Sequence, residues 1–196
     1  MLLSGIFLCL FSNAYGQDIE ETFSITGGQF SFPFYNITDS NGDEVDFNGS
    51  YKLLRGKTYE FWDEGVSSTH PFMVGESYGD TSSELVEGLA LNGEDESLYV
   101  TIPADFDGSL YYFCTNHSSM VQQFTIQTGI DNSNFATAVN LWFDDQTQAI
   151  ATYGHISDWD VSSVTNMTLA FHNRSSFNDD ISGWDVSSVT AMDGIR

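Results

Sequence analysis

At 196 residues the chain has room for one domain of ordinary size plus a smaller unit, and a hydrophobic content of 41% is enough for a real core. Five basic residues against 28 acidic ones leave a net charge of −23. That balance excludes nucleic acid and disfavours anionic membranes, whose binding depends on Lys and Arg meeting phosphates, and it favours solubility and steering toward a basic partner. The acid is spread evenly, which also fits adaptation to a salty medium.

Residues 1–16 read as a signal peptide. Met1 to Phe11 is almost wholly apolar yet too short to span a bilayer. Ala14-Tyr15-Gly16 then offers small residues at a cleavage site before Gln17. Export would remove Cys9 and leave Cys114 as a lone thiol in an oxidising compartment, where it must pair or be protected. The expected location is secreted, periplasmic or cell-surface, with no transmembrane segment once the leader is gone.

From 18 to about 128 the chain reads as short strands broken by turns. Phe23-Ser24-Ile25 alternates, and Gly27-Gly28 interrupts it. Phe30-Ser31-Phe32 and Phe34-Tyr35-Asn36-Ile37 follow, divided by Pro33, and Asp39-Ser40-Asn41-Gly42 is a turn. Tyr51 to Leu54, Thr58 to Phe61, Leu98 to Ile102, Ser109 to Phe113 and Gln123 to Ile126 complete the set. With 16 Phe and 9 Tyr, this spacing predicts an all-β sandwich or barrel.

Within it, Cys114, His117 and Met120 recur at three-residue spacing, and His70 stands upstream in Ser68-Thr69-His70-Pro71-Phe72. Two His, one Cys and one Met form the donor set of a blue-copper centre: a His₂Cys plane with a weak axial Met. The thiolate stabilises Cu(I), the imidazoles also suit Cu(II), and a rigid loop keeps reorganisation small. Ligation would also protect the lone thiol. Zinc asks for four strong ligands and iron–sulfur clusters for more Cys. A Cys–His nucleophile pair on one tight loop has poor geometry. No catalytic residue or substrate cleft can be argued, so the expectation is an electron carrier holding one copper, not an enzyme.

After Gly129 the texture changes, and 129–155 reads as a linker with a helical cap. Asn132-Ser133 would cap a helix over Phe135, Val139, Trp142 and Phe143. Residues 156–167 then recur almost unchanged as 181–192, an offset of 25 that falls among solenoid repeats. Such arrays need about three units to cover each buried face, so the chain is expected to be the start of a longer protein or a truncated one, its repeats running over 156–196. Sequons at Asn36, Asn48, Asn116, Asn166 and Asn173 are near what composition produces.

Residues 20–128 resemble the cupredoxins, with Tyr111-Tyr112-Phe113-Cys114 leading into a Cys-x-x-His-x-x-Met spacing most like the amicyanin-type loop. The resemblance implies a Greek-key sandwich, a redox protein partner, and an electron port at the edge of His117 bordered by Pro71, Phe72 and Ser118. In many members the residue after the first His donates its N–H to the thiolate. Pro71 has none, which alters the tuning of the site but not its ligation. Trp159 to Met167, Phe177-Asn178-Asp179-Asp180 and the second copy resemble BspA-type leucine-rich repeats. That resemblance implies cell-surface partners and adhesion, with Trp159, Val161, Val164, Met167 and Phe171 in the core and His155 and His172 on the surface. A copper-presenting adhesion protein and a copper-sequestering protein are the alternatives.

Overall fold

A computed structural model describes residues 18–48 and 51–195; the expected leader lies outside them. Two compact units emerge. The first holds the described residues to 51 together with 56–125, and the second holds 52–55 with 126–195. The described residues are rich in short strands, with two short helices, and no helix among them is long and apolar enough to cross a membrane.

In the first unit β1 (Ile19–Gly27), β2 (Asn36–Thr38), β4 (Thr58–Val66), β6 (Val86–Glu87) and β7 (Ser97–Thr101) form one sheet in the order β2-β1-β4-β7-β6. The β1–β4 pair is parallel and the rest are antiparallel. Side-chain alternation sets its two faces. Phe23 pairs with Phe61 and Phe61 with Leu98, and all three side chains are fully buried. One residue earlier on β4, Glu60 turns the other way, where its carboxylate accepts from the hydroxyls of Ser97, Thr22 and Tyr99 at 2.6, 2.9 and 2.9 Å.

A second, antiparallel sheet is made of β5 (Phe72–Gly75), β8 (Tyr111–Cys114) and β9 (His117–Gln123), with β8 in the middle. The two sheets face each other through aromatic rings. Phe61 of the first lies 5.5 Å from Phe72 of the second, and Phe72 stacks 5.7 Å from Tyr112. Phe47 and Phe124 fill the same layer, 4.8 Å apart. Each such ring contributes about 1.5–3 kcal/mol on burial, which supplies the sandwich-like core that the Phe and Tyr content predicts.

Several local expectations are corrected. Phe30-Ser31-Phe32 forms no strand and leaves Phe30 and Phe32 exposed, because Pro33 has no N–H to donate to a ladder. Leu53–Leu54 (β3) belongs to the second unit, paired in parallel with Ile126–Gln127 (β10). Strands β5 and β9 were not anticipated. Phe72-Met73-Val74-Gly75 is buried throughout, so it carries no alternation to read.

In the second unit α1 spans Phe135–Asp144 and α2 spans Gln146–Tyr153. The expected cap is corrected: the N-cap position is Asn134, whose side chain makes no capping bond, and Asp131 accepts the Ser133 amide at 2.7 Å in the turn ahead of α1. Asn132 instead accepts from the Thr165 amide at 2.9 Å. The α2 helix, absent from the sequence reading, is capped by the Asp145 carboxylate on the Gln148 amide at 3.0 Å.

The repeated segments stack in register. Thr190 N–H donates to Thr165 O and Met167 N–H to Ala191 O, both at 2.8 Å, forming a parallel bridge between Asn166 and Ala191. Trp159 and Trp184 stack 6.1 Å apart at 11°. Trp159, Val161, Val164, Met167 and Phe171 are buried as expected, and His155 and His172 are exposed. The second copy differs: Val186 and Met192 are 41% and 42% exposed at the places where Val161 and Met167 are covered.

Candidate metal centre

His70 follows the end of β4. Ser67 N–H donates to Gly27 O at 2.6 Å, and His70 N–H donates back to Ser67 O at 2.8 Å, so a tight turn fixes the imidazole's stem against the end of β1. Gly28 packs directly on that stem. Its φ is +127°, and a Cβ there would lie 2.7 Å from the His70 Cβ.

Cys114 ends β8 and His117 begins β9, joined by a two-residue turn at Thr115-Asn116. The two are cross-strand partners. The expected loop is therefore a hairpin, whose ladder carries two of the donors. Its turn is tied to the His70 segment: Thr115 N–H donates to Pro71 O at 3.1 Å, and the Asn116 amide to Thr69 O at 3.2 Å.

Between the pairs Phe113–Val121 and Cys114–His117 the ladder breaks register. Residues 118–120 are extra on β9 and make a bulge there. Ser118 and Ser119 point to solvent, whereas Met120 is fully buried in that bulge.

Three of the four expected donors converge. Cys114 Sγ is 3.4 Å from His117 Nδ1 and 3.9 Å from His70 Nδ1, and all three donor atoms lie within 4.8 Å of one another. Cys114 is fully buried and both imidazoles are half-buried. Among the described residues Cys114 is a free thiol, and this is the one group of three or more His, Cys, Asp or Glu able to hold a metal. A trigonal ion with bonds of about 2.0–2.3 Å to N and S holds its ligand atoms roughly 3.5–3.9 Å apart. The observed sulfur–nitrogen separations match that spacing, and the three side chains could together hold a metal ion.

Two neighbours were not anticipated. Phe30, 63% exposed, stands edge-on to both imidazoles at 4.9 and 4.8 Å, while Phe72, expected at the rim, is wholly buried. Tyr35, on the approach to β2, points its hydroxyl into the site, donating toward His70 O at 3.0 Å or Pro71 O at 3.2 Å. Burial, then the charge of nearby Cys114, push the Tyr35 phenol far above its ordinary range. A proline-broken aromatic run marks Phe30 in the sequence, but nothing there says which side chain it will cover.

A family model described as a Mycoplasma protein of unknown function, DUF285, matches residues 115–195. The matched stretch starts immediately after Cys114, takes in His117 and Met120, and runs through both copies of the repeat. No curated protein matches the chain.

Proposed function

We propose that this protein binds a single copper ion at His70, Cys114 and His117, with Met120 as the weak axial ligand, and carries single electrons between protein partners. One observation carries the reading: a buried thiol faced by the Nδ1 atoms of two imidazoles at 3.4 and 3.9 Å. When bound, copper supplies a one-electron couple between Cu(I) and Cu(II). The chain's own contribution is to hold the donors still. The Cys114–His117 ladder and the bonds from Thr115 and Asn116 to the His70 segment fix three ligand stems relative to one another, which favours a small structural change between oxidation states. Phe30 covers the two rings and limits access of water.

The cupredoxin resemblance, with its Greek-key topology, agrees with the two facing sheets but reaches further than they do. Export through the 1–16 leader and a basic redox partner complete this reading, since a lone thiol outside the cell is protected by ligation and the chain carries a charge of −23. The repeat reading supports a second role, surface interaction through BspA-type repeats, on the strength of the parallel, 25-residue stacking of the two copies.

The test is to add Cu(II) to the whole chain and record the visible spectrum. The expected result is an intense thiolate-to-copper band at one copper per chain, lost in Cys114→Ser. A protein that stays colourless and retains no copper after dialysis overturns the copper reading and leaves the repeat-based role.

A further inference from the structure

The two copies of the repeat are joined by a set of bonds that recurs one unit earlier on a side chain. The amides of Thr190 and Ala191 donate to Thr165 O at 2.8 and 3.2 Å, and the Thr190 hydroxyl donates to the same oxygen at 3.2 Å. At the matching places of the first copy, the amides of Thr165 and Asn166 donate to Asn132 Oδ1 at 2.9 and 3.3 Å, and the Thr165 hydroxyl does so at 3.3 Å. The amide oxygen of Asn132 thus stands where the backbone carbonyl of a preceding unit would be, and it closes the entry edge of the stack.

The exit edge has no such closure. Met167 and Leu169 donate their amides to Ala191 O and Asp193 O at 2.8 and 3.0 Å. The amides of their counterparts, Met192 and Gly194, donate to nothing among the described residues. Beside them Val186 and Met192 are 41% and 42% exposed, where Val161 and Met167 of the first copy are buried. A strand edge with unpaired amides and apolar side chains is a template for another segment.

The contact between the two copies states what fits there. Trp184 stacks on Trp159 and donates its indole N–H to Ile156 O at 2.8 Å. On the exit edge the matching groups are the Trp184 ring and Ile181 O, so a covering segment needs a Trp of its own. A second copy of this chain does not supply it head to tail, because Asn132 closes the entry edge of its repeats, and two chains of charge −23 repel each other.

We propose that the exit edge, Thr190 to Ile195, docks in parallel a Trp-bearing unit of the same 25-residue pattern carried by a different protein, and that Asn132 restricts docking to this one end. The proposal rests on the repeat-based role and does not involve copper.

The test follows amide exchange by NMR in the whole chain, with residues 156–180 repeated after Arg196 through a long Gly/Ser linker. The linker presents the unit as a separate segment at high local concentration. Exchange at Met192 and Gly194 is expected to slow at least about tenfold relative to a scrambled unit, and the slowing should vanish when the added copy carries Trp159→Ala. Asn132 is exposed, and Asn132→Ala should speed exchange at Thr165 and Asn166 by about tenfold, while Asn132→Asp, which keeps the acceptor oxygen, should not. Equal exchange at 192 and 194 with the repeated and scrambled units overturns the docking. So does dimerisation of the unextended chain that Met192→Lys abolishes, since the edge then belongs to a second copy. Unchanged exchange in Asn132→Ala overturns the closure. Fast exchange at Met167 and Leu169 in the wild-type chain would show that the copies do not stack, and would remove the repeat-based role itself.

Discussion

Gly28 and His70 touch backbone to side chain: a Cβ on the glycine would stand 2.7 Å from the Cβ of the histidine. No flexible side-chain tip lies between them to give way, and the φ of +127° is one that L side chains rarely adopt. Gly28→Ala should therefore push His70 off its turn. We expect copper affinity to fall at least tenfold and the first unit to lose about 1–3 kcal/mol. Competition titration with a Cu(I) chelator, run beside a thermal melt, reads both. Unchanged affinity would show that His70 is not held by this contact.

Met120 separates packing from tuning. It is fully buried in the β9 bulge, so Met120→Ala should cost about 2–5 kcal/mol through the cavity it leaves. Met120→Leu keeps the volume and should cost less than about 1.5 kcal/mol. Both variants should retain a coloured copper complex, while Met120→Leu should raise the reduction potential by removing the thioether. An identical potential in Met120→Leu would remove Met120 from the ligand set.

Phe30 covers the imidazoles from outside. Being 63% exposed, it should contribute little to stability, and Phe30→Ala should shift the melt by less than about 0.5 kcal/mol. Removing the ring opens the edges of His70 and His117 to solvent. Oxidation of the reduced copper protein by a small inorganic oxidant, followed by stopped flow, should speed up several-fold. A rate that does not change would mean that electrons reach the site by another route.

Asp63 ties β4 to the segment that follows β6. It is fully buried, and its carboxylate accepts from the amides of Gly65, Val66 and Gly93 at 3.0, 2.8 and 2.5 Å. Burial alone would raise its pKa, but the backbone donors from Val66, Gly93, Gly65 and Asn92 outweigh burial and lower it. A carboxylate lowered in the native state contributes stability that is present above its unfolded value of about 3.9 and is lost as pH falls through the native value. Asp63→Asn places an amide N–H₂ where one of these amides now donates and should cost about 2 kcal/mol at pH 7. Urea melts at pH 7 and pH 3 should show that gap narrowing in acid. A gap independent of pH would assign the loss to packing instead.

That Cys114 and His117 stand side by side was legible because they lie three residues apart on one turn. The strands around Phe23, Thr58 and Leu98 were legible because half-buried strands alternate. What escaped the sequence is long-range. Tyr35 meets the carbonyls of His70 and Pro71, 35 and 36 residues further on, and neither segment carries a mark of the other. Gly28 reads as a strand breaker, yet its use is to let His70 approach. Phe30 alternates like a strand residue, and only the proline at 33 argues that it is free to lie over a site. Strand β5, buried on both faces, offers no period at all.

The stacked indoles give each unit its own optical signature. Three of the four tryptophans, Trp142, Trp159 and Trp184, lie in the second unit, and Trp62 lies in the first. Two near-parallel indoles 6.1 Å apart couple their electronic transitions, so near-ultraviolet circular dichroism reports on the repeats while visible absorption would report on a loaded thiolate. Unfolding of the two units can thus be followed in one cuvette at two wavelengths, without a label or a truncation.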